Sequence, residues 1–166
     1  MAEGLANFFI KIFSFLNKDV LIFIISMMPI LELRGGLIAA SILKVPFLRA
    51  LIICLIGNIL PTPFILLFLN YIFDLLSKWK VTKKLVDWIK KKTLSKKDTL
   101  EKYGYLGILL FVGIPLPGTG MWTGSMLVVL LGMNRKKSVP YIILGILMAS
   151  VIMSIVSYGI LGNLIK

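Results

Sequence analysis

A chain of 166 residues that is 58% hydrophobic, with a mean hydropathy of +0.97, carries more apolar surface than one soluble core buries, and lipid is the solvent that fits it. Its net charge of +12 is not laid out as a nucleic-acid-binding face: ten of the 19 Lys and Arg fall between Lys78 and Lys102 and three more at Arg135, Lys136 and Lys137, all at the ends of apolar stretches. One cysteine, Cys54, and the absence of histidine exclude an internal disulfide, a multi-thiolate metal site and an imidazole proton relay.

In residues 1–19, Leu5, Phe8, Phe9, Ile12, Phe13 and Leu16 recur at helical spacing, which predicts an amphipathic helix on the membrane surface. Glu3 precedes any basic residue and Lys11 and Lys18 interrupt the apolar run, so this segment reads as retained rather than as a cleaved signal. Residues 20–73 form a first unit of two apolar blocks. The block at 20–43 is broken by Pro29, Gly35 and Gly36 and carries Glu32 and Arg34. The block at 50–73 is uncharged and is predicted to span the membrane with a kink at Pro61 and Pro63.

Residues 74–102 interleave Leu75, Leu76, Trp79, Leu85, Val86, Trp88 and Ile89 with lysines, the pattern of an interfacial linker facing anionic lipid. Residues 103–166 repeat the first unit. The block at 105–134 is broken by Gly113, Pro115, Pro117, Gly118 and Gly120, and the stretch 141–165, free of proline, is predicted to be the straightest span.

The order is therefore broken, spanning, broken, spanning. If each broken block dips in and returns, as a re-entrant hairpin, the halves are inverted relative to each other; if each crosses, they are parallel. Basic residues divide thirteen against five in both arrangements, leaving Arg34 out, so charge alone leaves the choice open. Either way the linker at 74–102 faces the cytoplasm. The fold class is an all-α, multi-pass membrane protein of the inner (cytoplasmic) membrane of a bacterium or archaeon.

Glu32 and Arg34 carry the sharpest signal, because a charge near the bilayer centre costs about 2.5–3.5 kcal/mol unless it is paired or hydrated. Arg34 suits an anionic group and Glu32 is the candidate for proton coupling; the structural alternative is a mutually neutralising pair that holds the break. In the second break, the glycines let backbone approach a ligand and the following half-helix aims its positive end at the break. Gly35, Gly118, Thr119, Gly120, Trp122 and Thr123 are added to Arg34 as substrate-binding candidates, although the threonines serve equally as helix caps. Asn58 and Thr62 are secondary candidates. The spacing Gly145 to Ala149 reads as helix packing. No catalytic set, metal cluster or nucleotide loop is present, so the chain does not read as an enzyme and needs no cofactor.

The segments Pro29-Ile30-Leu31-Glu32-Leu33-Arg34-Gly35-Gly36 and Ile114 to Gly124 resemble the two signatures of the small multidrug export protein family, with the likeness running from about Val20 to the last span. That family is distantly similar to the DedA superfamily, which includes transporters of polyprenyl phosphate and lipid scramblases. The resemblance implies paired re-entrant hairpins in an inverted repeat, with acidic and arginine residues at the tips carrying activity. Those roles fall on Glu32 and Arg34. DedA proteins place further charges in the second hairpin, and here Tyr103 to Asn134 has none.

The expectation is a transporter of an anionic or amphiphilic small molecule or lipid-phosphate head group, proton-coupled through Glu32. The rivals are a lipid scramblase or passive pore, and a noncatalytic assembly factor. Expected partners are membrane lipids, anionic ones included, and a second copy of the chain as a homodimer, with no nucleic acid.

Overall fold

Where the backbone breaks decides the architecture, and in a computed structural model of the chain the breaks inside the two interrupted apolar blocks fall on proline or glycine sequence. The structure describes residue 4 and residues 17–95, 97–116 and 118–161. The predicted surface helix over residues 1–19 lies almost wholly outside them. Among the described residues the chain is helical, with no strand.

Helix α1 (Lys18–Met27) is capped by Asn17, whose side chain accepts from the Asp19 N–H. It stops because Met28 precedes Pro29 and is extended, with ψ 140°. Helix α2 (Glu32–Ile42) then folds back along α1, and the outer ends of the pair meet: Lys18 Nζ donates to the Leu43 carbonyl at 2.9 Å, and Asp19 is ion-paired with Arg49. Small residues permit this approach. A Cβ on Gly36 would collide with Ser26 Oγ, and one on Gly57 would stand 2.8 Å from the Phe23 carbonyl oxygen.

Helices α3 (Phe47–Ile59) and α4 (Pro61–Leu76) join through Leu60, which keeps helical angles, into one apolar rod of 30 residues. The predicted kink at Pro61 and Pro63 thus stays within helical geometry, although both prolines remove bonds to the Gly57 and Ile59 carbonyls. Helix α5 (Lys80–Leu94) buries Val86, packs Ile89 against the core, and leaves Trp79, Leu85 and Trp88 exposed among the lysines. Lys92 Nζ sits 4.6 Å from the Trp88 ring centroid and Lys90 Nζ 5.3 Å from that of Phe73.

Helix α6 (Lys97–Gly113) changes direction at Gly104, whose φ of 57° and ψ of −129° are outside helical space. Helix α7 (Met121–Leu130) follows the second break, and α8 (Arg135–Ser154) begins at Asn134, which accepts from the Lys137 N–H. The last span is less regular than its sequence predicts. It starts early enough to include Pro140 near its N-terminus, and it passes into a π-helical turn, Ile155–Leu161.

The core lies where the two broken pairs and the two long rods meet, with Ile22, Leu37, Ile108, Leu127, Ile142 and Ile146 at or near zero exposure. Tyr105 stacks on Tyr141 at 5.5 Å, bringing the start of the apolar part of α6 beside the start of α8. At the other end, Ser41 Oγ donates to the Ser157 carbonyl at 2.7 Å and Tyr158 Oη to the Val45 carbonyl at 2.9 Å. Gly145 sits against α6, where an added Cβ would stand 2.9 Å from the Leu109 carbonyl oxygen, as the small-residue spacing predicts. Two helices, Phe47–Leu76 and Arg135–Gly159, are long and apolar enough to cross a membrane.

Candidate functional site at the meeting of two helix breaks

Met28 to Leu31 separates α1 from α2, and Ile114 to Gly120 separates α6 from α7; the fold sets these breaks against each other. Glu32, the first residue of α2, takes a left-handed φ of 51°, a conformation costly for a residue with a Cβ, while its N–H donates to the Met28 carbonyl at 2.9 Å. Its carboxylate reaches across. Glu32 Oε1 accepts from the Trp122 N–H at 3.1 Å and Oε2 from the Met121 N–H at 3.2 Å. Helix α7 has no side-chain cap of its own at Gly120, so a carboxylate from the other half of the chain satisfies its first amides and faces the positive end of its dipole.

Arg34 does the converse. Nη1 donates to the Leu116 carbonyl at 2.7 Å, and Nη2 to Thr119 Oγ1 at 3.1 Å and to the Ile114 carbonyl at 3.4 Å. These carbonyls emerge past the C-terminal end of α6, where a cation is favoured. Thr119 Oγ1 also lies 2.9 Å and 2.8 Å from the same two carbonyl oxygens and accepts from the Leu116 N–H at 3.2 Å, tying the break into one network. Trp122 completes the exchange: its Nε1–H donates to the Met27 carbonyl at 3.0 Å, at the end of α1. Each half thus caps the broken helix of the other.

This geometry changes the reading of the charged pair. Glu32 and Arg34 form no direct ion pair of the kind that Arg49 makes with Asp19; they lie close enough to feel each other's charge, and each is hydrogen-bonded to helix ends of the opposite half. The glycines divide by role. Gly120, with φ 135°, lies so close to the Glu32 carboxylate that an added Cβ would stand 2.7 Å from Cδ, and Gly118 has a φ of 77° that favours glycine. Gly35 instead accommodates Leu31, whose Cβ would be 2.6 Å away, so it serves backbone packing. Thr123 is half-buried and enters none of these bonds.

Asn58 joins the site from α3. Together with Glu32, Leu33, Arg34, Val112, Met121, Ile146 and Ala149 it lines a cavity with about 10 Å³ of room for water centres, the space of about one molecule. Thr62, one turn further, is buried with no hydrogen-bond partner among the described residues. Sequence reasoning missed the Met121 amide, the Ile114, Leu116 and Met27 carbonyls, and Ser125. The backbone groups leave no trace in residue type. Ser125 was within reach, since it stands one turn past Met121 on the helix that begins at the break.

Residues 32–152 match the model of a family described as "Putative small multi-drug export protein". The chain belongs to that family. No curated protein and no solved structure matches it. The match opens on Glu32, just past the first break, and takes in Arg34, the second break with Met121 and Trp122, the first long apolar helix and most of the second, so the family's shared segment holds most of the groups that build this site. As a member of an export family with two such helices, the protein belongs in a membrane.

Proposed function

We propose that this protein is a membrane transporter for an anionic or amphiphilic small molecule, in which α1–α2 and α6–α7 are re-entrant hairpins of an inverted repeat and their tips form the transport site. The observation that carries the reading is the cross-capping of the two breaks by Glu32 and Arg34. Irregular backbone survives at membrane depth only where protein or a wet cavity satisfies it, and here charged side chains supply what the helix ends lack.

The arrangement suggests a mechanism. The amides of Met121 and Trp122 at the head of α7, with the Arg34 guanidinium nearby, are the features of an anion site, and in this conformation the Glu32 carboxylate occupies it. A proton on Glu32 removes its charge and weakens its hold on the amides. An anionic group of the substrate then takes its place between the α7 N-terminus and Arg34, so proton and anion move together. Rocking of one half against the other exposes the site to alternate sides.

Proteoliposomes holding carboxyfluorescein at the same concentration inside and outside and placed in a pH gradient, with internal dye measured at one fixed pH after separation, test the reading. Wild-type protein is expected to drive uphill dye movement that collapses with the gradient. Glu32→Gln, which preserves shape and one acceptor oxygen, is expected to reduce gradient-driven flux at least tenfold while the variant elutes as the wild type does on gel filtration. Arg34→Lys, which keeps the charge but not the forked geometry, is expected to impair flux in the same assay. Wild-type flux in both variants overturns the proposal, and flux indifferent to the gradient identifies a passive pore.

A further inference from the structure

We infer that Asn58, Thr62 and Ser125 line a hydrated lane that leads from Glu32 toward the basic face of the membrane. The three side chains are 2%, 3% and 0% exposed, and Asn58 Oδ1, Thr62 Oγ1 and Ser125 Oγ have no hydrogen-bond partner among the described residues. Buried polar atoms are rarely left so, and at membrane depth neither lipid nor the neighbouring side chains supply the missing bonds.

Their positions are not scattered. Asn58 and Thr62 are four residues apart on the α3–α4 rod, hence on one face, and Ser125 lies four residues past Met121, whose amide holds Glu32. Helices α4 and α7 pack against each other, with Thr62 in the first turn of one and Ser125 in the second turn of the other. The prolines at 61 and 63 also leave the Gly57 and Ile59 carbonyls without helical donors on the same stretch.

The lane has a beginning and a direction. At one end, Asn58 shares with Glu32, Arg34 and Met121 the small cavity, which has room for about one water. From the level of the breaks, α4 runs to Leu76, just before Lys78, and α7 runs to Leu130, just before Arg135. Both helices therefore lead from Glu32 toward the basic segments. Water is the ligand whose size and paired donors and acceptors suit isolated amide and hydroxyl groups in so narrow a space, and a file of it is a route for protons.

This inference rests on the transporter reading only for the use made of Glu32, and its test reads hydration rather than transport. In a Cys54→Ala background, Thr62→Cys and Ser125→Cys are compared with Leu67→Cys, a position on α4 that is 61% exposed on the outside of the protein. Silver ion, a water-sized thiol reagent, is applied to sealed vesicles from either side, and unreacted thiol is then alkylated in denaturant. Silver is expected to block residues 62 and 125 at least tenfold faster than residue 67, and faster from the basic side than from the other. Rates at 62 and 125 equal to that at 67, or faster from the opposite side, overturn the lane. Two positions on different helices are used so that misfolding of one variant leaves the other to decide. Gradient-driven flux with a dry lane overturns this inference alone, whereas a wet lane without flux overturns the transporter reading alone.

Discussion

At Gly120 the space for a side chain is already filled by the Glu32 carboxylate, and a φ of 135° is one that residues with a Cβ rarely adopt. Gly120→Ala is therefore expected to lose twice, through backbone strain of about 1–3 kcal/mol and through expulsion of Glu32 from the α7 amides. The measurement is thermal unfolding of the purified protein in detergent, beside the same flux assay; a variant with wild-type melting and flux contradicts the packed geometry. Gly118→Ala is the matched control, since it shares the positive φ but has nothing within 4 Å of the added carbon. Glu32 and Arg34 were legible from sequence because a charge in an apolar block demands a reason. What they bind was not legible, because their partners are amides and carbonyls, present at every residue and exposed only where a helix stops.

The breaks themselves were written in the sequence: Pro29 forces Met28 out of the helix, and the Pro115 to Gly120 stretch cannot continue one. Less visible was how closely the elements approach across them. Between membrane helices there is little hydrophobic drive to associate, so close contact of small residues does the holding. Gly36 is the tightest of these contacts, where α2 meets Ser26 of α1 and, 2.9 Å from an added Cβ, Cys54 of α3. Gly36→Ala is expected to destabilise by about 1–3 kcal/mol through overpacking, and Ser26→Gly, which clears the nearest atoms, is expected to restore part of that loss in the double variant. A double-mutant cycle on melting in detergent reads the coupling; additive losses contradict direct contact between the two positions. The last span is where element-level reading fell short, since the Tyr141 to Ile165 composition says nothing of a π turn. That turn places Ser157 and Tyr158 where they meet Ser41 and Val45, a tertiary demand that local propensity does not express.

For the whole molecule, basic residues alone cannot say whether the broken pairs cross the bilayer or return, because both arrangements gather the same number on one side. Contacts between chain ends carry more. Lys18 reaches Leu43, so the two ends of α1–α2 lie together; Tyr105 reaches Tyr141, so the start of apolar α6 lies beside the residues that follow α7; and Tyr158 reaches Val45, so α8 ends where α3 begins. With α3–α4 and α8 as the two crossings, Lys83 and Lys136 belong to one face and Lys44 to the other. Were the broken pairs to cross instead, Lys44 and Lys136 would share a face and Lys83 would oppose them. Lys83→Cys, Lys136→Cys and Lys44→Cys, each in a Cys54→Ala background, are expected to sort accordingly when intact cells are treated with a membrane-impermeant maleimide. Only Lys44→Cys is expected to react before lysis, because the face with the greater positive charge stays in the cytoplasm. Joint labelling of residues 44 and 136, or labelling of residue 83 alone, would mean that the broken pairs cross, with α4 and α7 leading to opposite faces, whereas joint labelling of residues 83 and 136 would invert the molecule and, with it, the side from which a lane through Thr62 and Ser125 reaches Glu32.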